Sequence, residues 1–307
     1  MDTYYSLFHL NVQSQVKLPA PAVSPLVVHS SGPSVSVVLD PDLQIPSSLQ
    51  EDSCFDVNRK KGYFFYKDVG SFCIQDGRHI SVKPAPGVDE SFLSVSTVGT
   101  PMGILFFQRG YFVMHGSSVN IQGKAYVFLG ESRAGKSTAA LAMVTSGFPL
   151  LTDDVVVIEQ SLAARNGQLP RVIPSFAWMK VDKEIVAYGG VAPSRLETVA
   201  KNSSKQLFEL STDEFCSESL PLGGIFILDW GPDFAVEDIS AREAMVCISP
   251  YSYGPAPRTK YPDDTAIYFQ NAAALIEAVP CYKLIRPHDL NRLLELPKRV
   301  AEYIKNL

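Results

Sequence analysis

Long apolar runs, patterned cysteines and a surplus of positive charge are all missing from this sequence. No stretch approaches the roughly 20 consecutive apolar residues of a membrane helix, and a typical candidate, Gly223 to Leu228, is only strand-sized. The amino terminus lacks a basic segment followed by an apolar run and a small-residue cleavage site, which argues against a secretory signal. The five cysteines (Cys54, Cys73, Cys216, Cys247, Cys281) are scattered, odd in number and free of CxxC spacing. That pattern argues against a disulfide framework or a structural zinc site and fits thiols in a reducing cytoplasm. With 27 Lys+Arg against 32 Asp+Glu, the net charge of -5 gives no basic stripe for a nucleic-acid partner. What is present is an ordinary globular composition: 307 residues, 46% apolar, enough for one large domain or two modest ones.

The first ninety or so residues read as β-rich. Val35 to Leu39 is dense in β-branched residues, Tyr63 to Tyr66 is aromatic, and Ser71 to Ile74 runs through Gln75-Asp76-Gly77 into Ile80-Ser81-Val82 as a hairpin. Prolines 19, 21, 25, 33, 41 and 46 argue against helices there. Pro84-Ala85-Pro86-Gly87 resembles a linker, and Pro101 to Arg109 a helix or buried segment. The expected division is residues 1–95, β-rich and a candidate substrate-binding region, and residues 96–307, an α/β catalytic domain. Within the second part, Tyr111 to Ile121 and Ala125 to Leu129 read as strands joined by the turn Gln122-Gly123-Lys124. Lys136 to Ser146 reads as a helix with Gly147 as its left-handed cap, and Leu150-Leu151 opens a strand that delivers Asp153 and Asp154. Farther on, Val181 to Ala187 reads as a short helix, Ser194 to Phe208 as a polar, mobile excursion and Ile225 to Leu228 as a buried strand. Asn271 to Ala278 reads as helix, Cys281 to Ile285 as strand and Asp289 to Ile304 as helix, with Pro297 breaking it or starting another.

Gly130, Gly135, Lys136 and Ser137 satisfy G-x-x-x-x-G-K-[ST] within Gly130-Glu131-Ser132-Arg133-Ala134-Gly135-Lys136-Ser137-Thr138. The loop must wrap phosphate oxygens with inward-pointing backbone N–H groups, and the following helix offers its positive end to the same oxygens. Lys136 supplies a charge for the outer phosphates and Ser137 a hydroxyl for Mg²⁺. A strand before the loop and a helix after it are the context this mechanism needs. The acids Asp153 and Asp154 follow one helix later. On a strand end they would point to opposite sides, which suits one acid near the metal and the other facing an attacking hydroxyl. His115, on the strand ahead of the hairpin turn, reads from its position alone as structural, as do His9, His29, His79 and His288.

Val113-Met114-His115-Gly116-Ser117-Ser118-Val119, the loop Gly130 to Thr138 and Gly147 through Asp153-Asp154 together resemble the catalytic domain of the HPr kinase/phosphorylase family. That resemblance implies an α/β fold with an HPr-kinase-type P-loop core, a mixed sheet with flanking helices, and ATP and Mg²⁺ as cofactors. It makes Asp154 the general base toward a substrate hydroxyl, puts Asp153 with Ser137 at the metal, and brings His115 into the active site beside the acid pair. Ser132, Arg133, Ala134 and Thr138 join the nucleotide-binding loop. Two departures stand out. Position 133 is glycine in the family pattern and arginine here, which demands a backbone conformation that glycine accepts more easily. The family's downstream glycine-rich segment, tied to its phosphorylase reaction, has no counterpart.

The opening Tyr4 to Pro21 and Gln108-Arg109-Gly110 resemble HPr kinase-like proteins that tailor lasso peptides, which implies a precursor peptide as partner and its carboxy-terminal serine as acceptor. Two other readings stay open. One is a small-molecule kinase on the same core; the other is a nucleotide-binding scaffold without transfer. Arg258 and Lys260 are candidates for clamping phosphate or a peptide carboxylate, or an ordinary exposed loop. The sequence allows an oligomer without specifying one.

Overall fold

A computed structural model describes residues 2–24, 34–49, 53–160, 168–186, 188, 191–199, 203–253 and 261–306. His29, Ala187, Arg258 and Lys260 lie outside the described residues. The fold is mixed α/β, and the chain divides into two compact units, Met1–Val113 with Val199–Asn202 and Tyr253–Tyr268, and Met114–Thr198 with Ser203–Ser252 and Phe269–Leu307.

The first unit is built on seven strands: β1 (Thr3–Leu7), β2 (Leu10–Ser14), β3 (Val35–Leu39), β4 (Ser53–Val57), β5 (Lys61–Tyr66), β6 (Gly70–Gln75) and β7 (His79–Pro84). They lie in the order β1-β2-β3-β7-β6-β5-β4. Alternation along the strands sends Val35, Val37, Ile80 and Val82 into the core while their neighbours face outward. Helices α1 (Glu90–Thr97) and α2 (Thr100–Gln108) belong to the same unit, so the boundary expected at 95/96 falls inside α1. Asp89 caps α1 by accepting from the Ser91 and Phe92 amides. The α2 end is fastened to the β6–β7 hairpin: Gln108 accepts from the Gly77 amide at 2.9 Å and donates to the Ile74 carbonyl at 3.1 Å, and Arg109 donates to the Gly77 carbonyl at 2.6 Å. Gln108 and Arg109 thus act here as structural ties.

The second unit holds a nine-stranded sheet of β8 (Phe112–His115), β9 (Ser117–Ile121), β10 (Lys124–Leu129), β11 (Leu150–Thr152), β12 (Val155–Glu159), β13 (Arg171–Ile173), β17 (Leu220–Trp230), β18 (Ala235–Asp238) and β19 (Cys281–Arg286), the second half of β8 belonging to this unit. The order is β11-β9-β10-β17-β13-β12-β8, and β19 pairs with both β17 and β18. Strands β14 (Trp178–Asp182), β15 (Leu196–Thr198) and β16 (Lys205–Glu209) make a separate three-stranded sheet. Helix α3 (Lys136–Thr145) follows β10, a single turn α4 (Lys183–Val186) follows β14, and α5 (Ala241–Ile248), α6 (Pro262–Ala278, of which only the part from Phe269 belongs to this unit) and α7 (Leu296–Lys305) come later. The core beside α3 and α7 is aromatic: Phe226 meets Phe128 at 5.7 Å and Tyr282 at 5.2 Å between ring centroids. Among the described residues no helix is long and apolar enough to cross a membrane. Cys73, Cys216, Cys247 and Cys281 are free thiols.

Several elements differ from the sequence expectation. The strand expected over Tyr111 to Ile121 is two strands, broken at Gly116, where a Cβ would meet the Phe128 carbonyl and a Leu129 methyl at 2.7 Å. His115 therefore ends its own strand, with Gly116 alone before β9 begins at Ser117. The excursion expected over Ser194 to Phe208 contains β15 and β16, whose polar faces disguise a ladder anchored by buried Leu207 and Phe208. The helix expected at Val181 begins as β14 and turns helical only at Lys183. α6 starts earlier than expected, at Pro262. Pro297 sits in the first turn of α7, where its missing N–H costs nothing, so it starts a second helix after the short 3₁₀ segment Leu290–Glu295.

Candidate active site

The phosphate loop links the end of β10 to α3. Gly135 caps the helix in the left-handed region, φ 79°, and a Cβ there would meet the Arg286 guanidinium at 2.8 Å, so both conformation and space require glycine. Arg133 also lies in the left-handed region, φ 66°, with its side chain exposed. The non-glycine departure is therefore accommodated by the conformation glycine would have taken, at a cost of about 1–2 kcal/mol. Glu131 and Ser132 are exposed and Ala134 is buried. Lys136 is only 8% exposed, and its Nζ donates to the Gly130 and Glu131 carbonyls, each at 3.0 Å. Burial draws its ammonium below the ordinary value, against the pull of the Asp154 and Asp153 carboxylates. Ser137 and Thr138 follow in the first turn of α3.

The two acids occupy the bend between β11 and β12 rather than a strand end, so strand alternation is not what separates them. Asp154 is in the left-handed region, φ 68°, and this turn of the backbone sends the two carboxylates to different partners. Asp153 Oδ1 accepts from the Ser117 hydroxyl at 2.7 Å and the Ser137 hydroxyl at 3.1 Å, and Oδ2 accepts from the Lys180 amide at 2.9 Å. Burial and then the charge of Asp154 push the Asp153 carboxyl upward, and these donors only partly offset the rise. Asp154 instead pairs with the Lys180 ammonium. Burial alone would raise its carboxyl, but the Lys180 ammonium leads the opposing effects and holds it below the ordinary value.

His115 Nδ1 lies 3.0 Å from the main-chain oxygen of Asp154. A carbonyl only accepts, so Nδ1 carries the proton and the neutral ring presents Nε2 as an acceptor. Burial keeps the imidazole below its ordinary value, so it stays neutral near pH 7. The structure thus gathers His115, Lys136, Ser137, Asp153 and Asp154, and adds residues that sequence reasoning missed: Ser117, Lys180 and Arg286. Lys180 comes from β14 of the small sheet. Arg286, at the end of β19, donates to the Ala134 carbonyl from behind the loop. Neither sits in a motif, so no pattern in the sequence marks them.

The donor set suits a loosely held divalent cation next to phosphate oxygens. Ser137 and Asp153 supply two oxygens, and no group of three or more His, Cys, Asp or Glu able to hold a metal occurs among the described residues. Oxygen donors of this kind are the type that Mg²⁺ takes beside waters and substrate phosphates.

No family model matches the chain. It is similar to the HPr kinase/phosphorylase of Mycoplasmopsis pulmonis (strain UAB CTIP), 38% identical over 83 residues, 26% of this chain and 26% of that protein. It is also similar to the HPr kinase/phosphorylase of Caldicellulosiruptor bescii, 42% identical over 60 residues, 19% of each. The chain thus spans about a quarter and a fifth of the length of these curated relatives. Among solved structures it is similar to the HPr(Ser) kinase/phosphatase of Coxiella burnetii, at 13% identity and a TM-score of 0.32, covering 63% of this chain and 88% of that one.

Proposed function

Taking as premise that this chain is HPr kinase-like, we propose that it is an ATP-dependent kinase that transfers the γ-phosphoryl group to a serine hydroxyl. The observation that carries this reading is the contact of Ser137 with Asp153, 3.1 Å, which sets a hydroxyl and a carboxylate together at the helix start behind the loop. The loop amides and Lys136 bind the triphosphate; on binding, the Lys136 ammonium exchanges loop carbonyls for phosphate oxygens. A Mg²⁺ held by Ser137 and Asp153 would neutralise charge on the outer phosphates. Asp154 accepts the proton of the acceptor hydroxyl as the new O–P bond forms and the β–γ bridging bond breaks. Its site is pre-set for that role, because Asp153 has both oxygens engaged while Asp154 is held charged by Lys180. His115 fixes the Asp154 backbone through its carbonyl, and so positions the acid.

The narrower proposal, that the acceptor is the carboxy-terminal serine of a lasso precursor peptide, is supported by the amino-terminal resemblance alone. Asp154→Asn tests the core of the reading. It should retain ATP binding and lower transfer to serine-ended peptides by about 10²–10⁴-fold, measured by mass gain of one phosphate. Transfer at the wild-type rate would remove Asp154 as the base, and ATP binding without transfer to any peptide would favour a nucleotide-binding scaffold.

A further inference from the structure

The phosphate loop has two flanks, and the acids use only one. In the sheet, β9 and β11 lie on one side of β10, and β17 and β19 on the other. The acids follow β11. Strands β10, β17 and β19 are parallel, with Leu129 opposite Ile227 and Trp230 opposite Arg286, so β17 and β19 end together and extend past the end of β10 beside the loop. Ligands of open α/β sheets bind at that edge.

At the end of β17, Trp230 is 41% exposed. The Arg286 guanidinium lies over its ring, 3.9 Å from the centroid, and His288 meets it at 4.6 Å between ring centroids, tilted by 57°. Arg286 is 5% exposed, donates to the Ala134 carbonyl and has no hydrogen-bond partner for its buried Nε. Its guanidinium also fills the space a Gly135 side chain would take. Arg286 therefore joins the aromatic pair to the phosphate loop.

We infer that the exposed indole of Trp230, flanked by His288, is the stacking shelf for the purine base of the nucleotide, fastened to the phosphate loop by Arg286. This rests on the nucleotide-binding reading above. A triphosphate whose γ end reaches Asp153 and Asp154 must leave the loop on the opposite flank, and a flat π surface wetted at one edge is what a base needs there. A guanidinium beneath the indole enriches the shelf with a positive charge that suits an electron-rich ring.

The test compares two ligands that differ only by the nucleoside. With Mg²⁺ present, Trp230→Ala should weaken ATP binding by about ten- to a hundredfold and leave inorganic tripolyphosphate unchanged, whereas Lys136→Ala should weaken both. Trp230→Phe should keep most of the ATP affinity. Trp178 and Trp230 are the two tryptophans, so in a Trp178→Phe background the remaining fluorescence should respond saturably to ATP and not to tripolyphosphate. That readout decides the matter even if Trp230→Ala fails to fold. Unchanged ATP affinity in Trp230→Ala, equal losses for both ligands, or a silent Trp230 would overturn the shelf while leaving the phosphate site standing. Failure of the wild type to bind either ligand would overturn the nucleotide reading and the shelf with it.

Discussion

Among the described residues of the unit built on the seven-stranded sheet, the buried polar side chains are Ser14, Ser71, Ser94 and Thr97, whereas the unit built on the nine-stranded sheet also buries Lys136 and Arg286. The difference is chemical. A buried hydroxyl can close its hydrogen bond on nearby backbone, as Ser14 does on the Val16 carbonyl at 2.6 Å and Thr97 on the Leu93 carbonyl at 2.7 Å. An ammonium or guanidinium taken from water costs several kcal/mol that backbone carbonyls only partly offset. Lys136 and Arg286 both lean on carbonyls of one loop, Gly130, Glu131 and Ala134. A loop that receives an anion, as proposed above, would give two cations converging there a purpose beyond stability. The first unit is organised for packing, and the second tolerates local cost at one place.

The largest expected effect sets the two kinds of burial against each other. Phe72, 0% exposed and 5.7 Å from the Phe64 ring, is pure packing. Phe72→Ala should cost about 3–5 kcal/mol in urea unfolding. Lys136→Met keeps the stem and removes the charge, so it should leave stability unchanged or higher while ATP affinity falls by about a hundredfold or more, by about 3 kcal/mol in titration calorimetry. If Lys136→Met lost as much stability as Phe72→Ala, the ammonium would be a structural clasp and the contrast between the units would collapse.

A smaller effect sharpens the comparison inside the second unit. Lys180 holds the Asp154 carboxyl low against burial, which pushes the other way. In Lys180→Met burial prevails and the carboxyl rises. A base that must be deprotonated then fails earlier on acidification, so the acid limb of the pH profile of kcat/KM should move to higher pH. A limb that stays in place, or moves to lower pH, would separate Lys180 from the working state of Asp154.

How far the sequence discloses each part follows from what holds it together. The loop Gly130 to Thr138 and the acids are legible because one strand, one helix and one bend place them close along the chain, and local spacing then carries the geometry. The hairpin of β6 and β7 is legible for the same reason. Lys180 and Arg286 are not, because each reaches the loop from a different strand and neither residue type is unusual where it stands. The polar strands β15 and β16 hide behind charged and hydroxyl residues, since a small outlying sheet needs only one apolar face. Arg133 shows the opposite case: the departure from glycine was visible as a demand for left-handed backbone, and φ 66° is how the chain meets it. The bend at Asp154 left no such trace, because aspartate is common in turns as well as at strand ends.

The smallest effect concerns a charge pair outside the loop. Arg195 and Glu214 form a partly exposed ion pair in the second unit, and Glu214 also accepts from the Ser211 amide and hydroxyl, each at 2.9 Å. Arg195, against the opposing effect of burial and with help from Ser211, draws the Glu214 carboxyl down to about 2 from its ordinary 4.5. Because the folded state holds the carboxylate more tightly charged than the unfolded chain, the gain is complete above the ordinary value and is lost as pH falls from about 4.5 to about 2. Solvent screens so exposed a pair, which reduces its contribution to about 1 kcal/mol. Glu214→Gln should therefore lower stability by about that much at pH 7, and the difference from wild type should fade as urea unfolding is repeated toward pH 2. A deficit that persists at pH 2 would assign the effect to lost packing or hydrogen bonding. A deficit at pH 7 several times larger would mean that this pair, like the cations at the phosphate loop, is held effectively out of water.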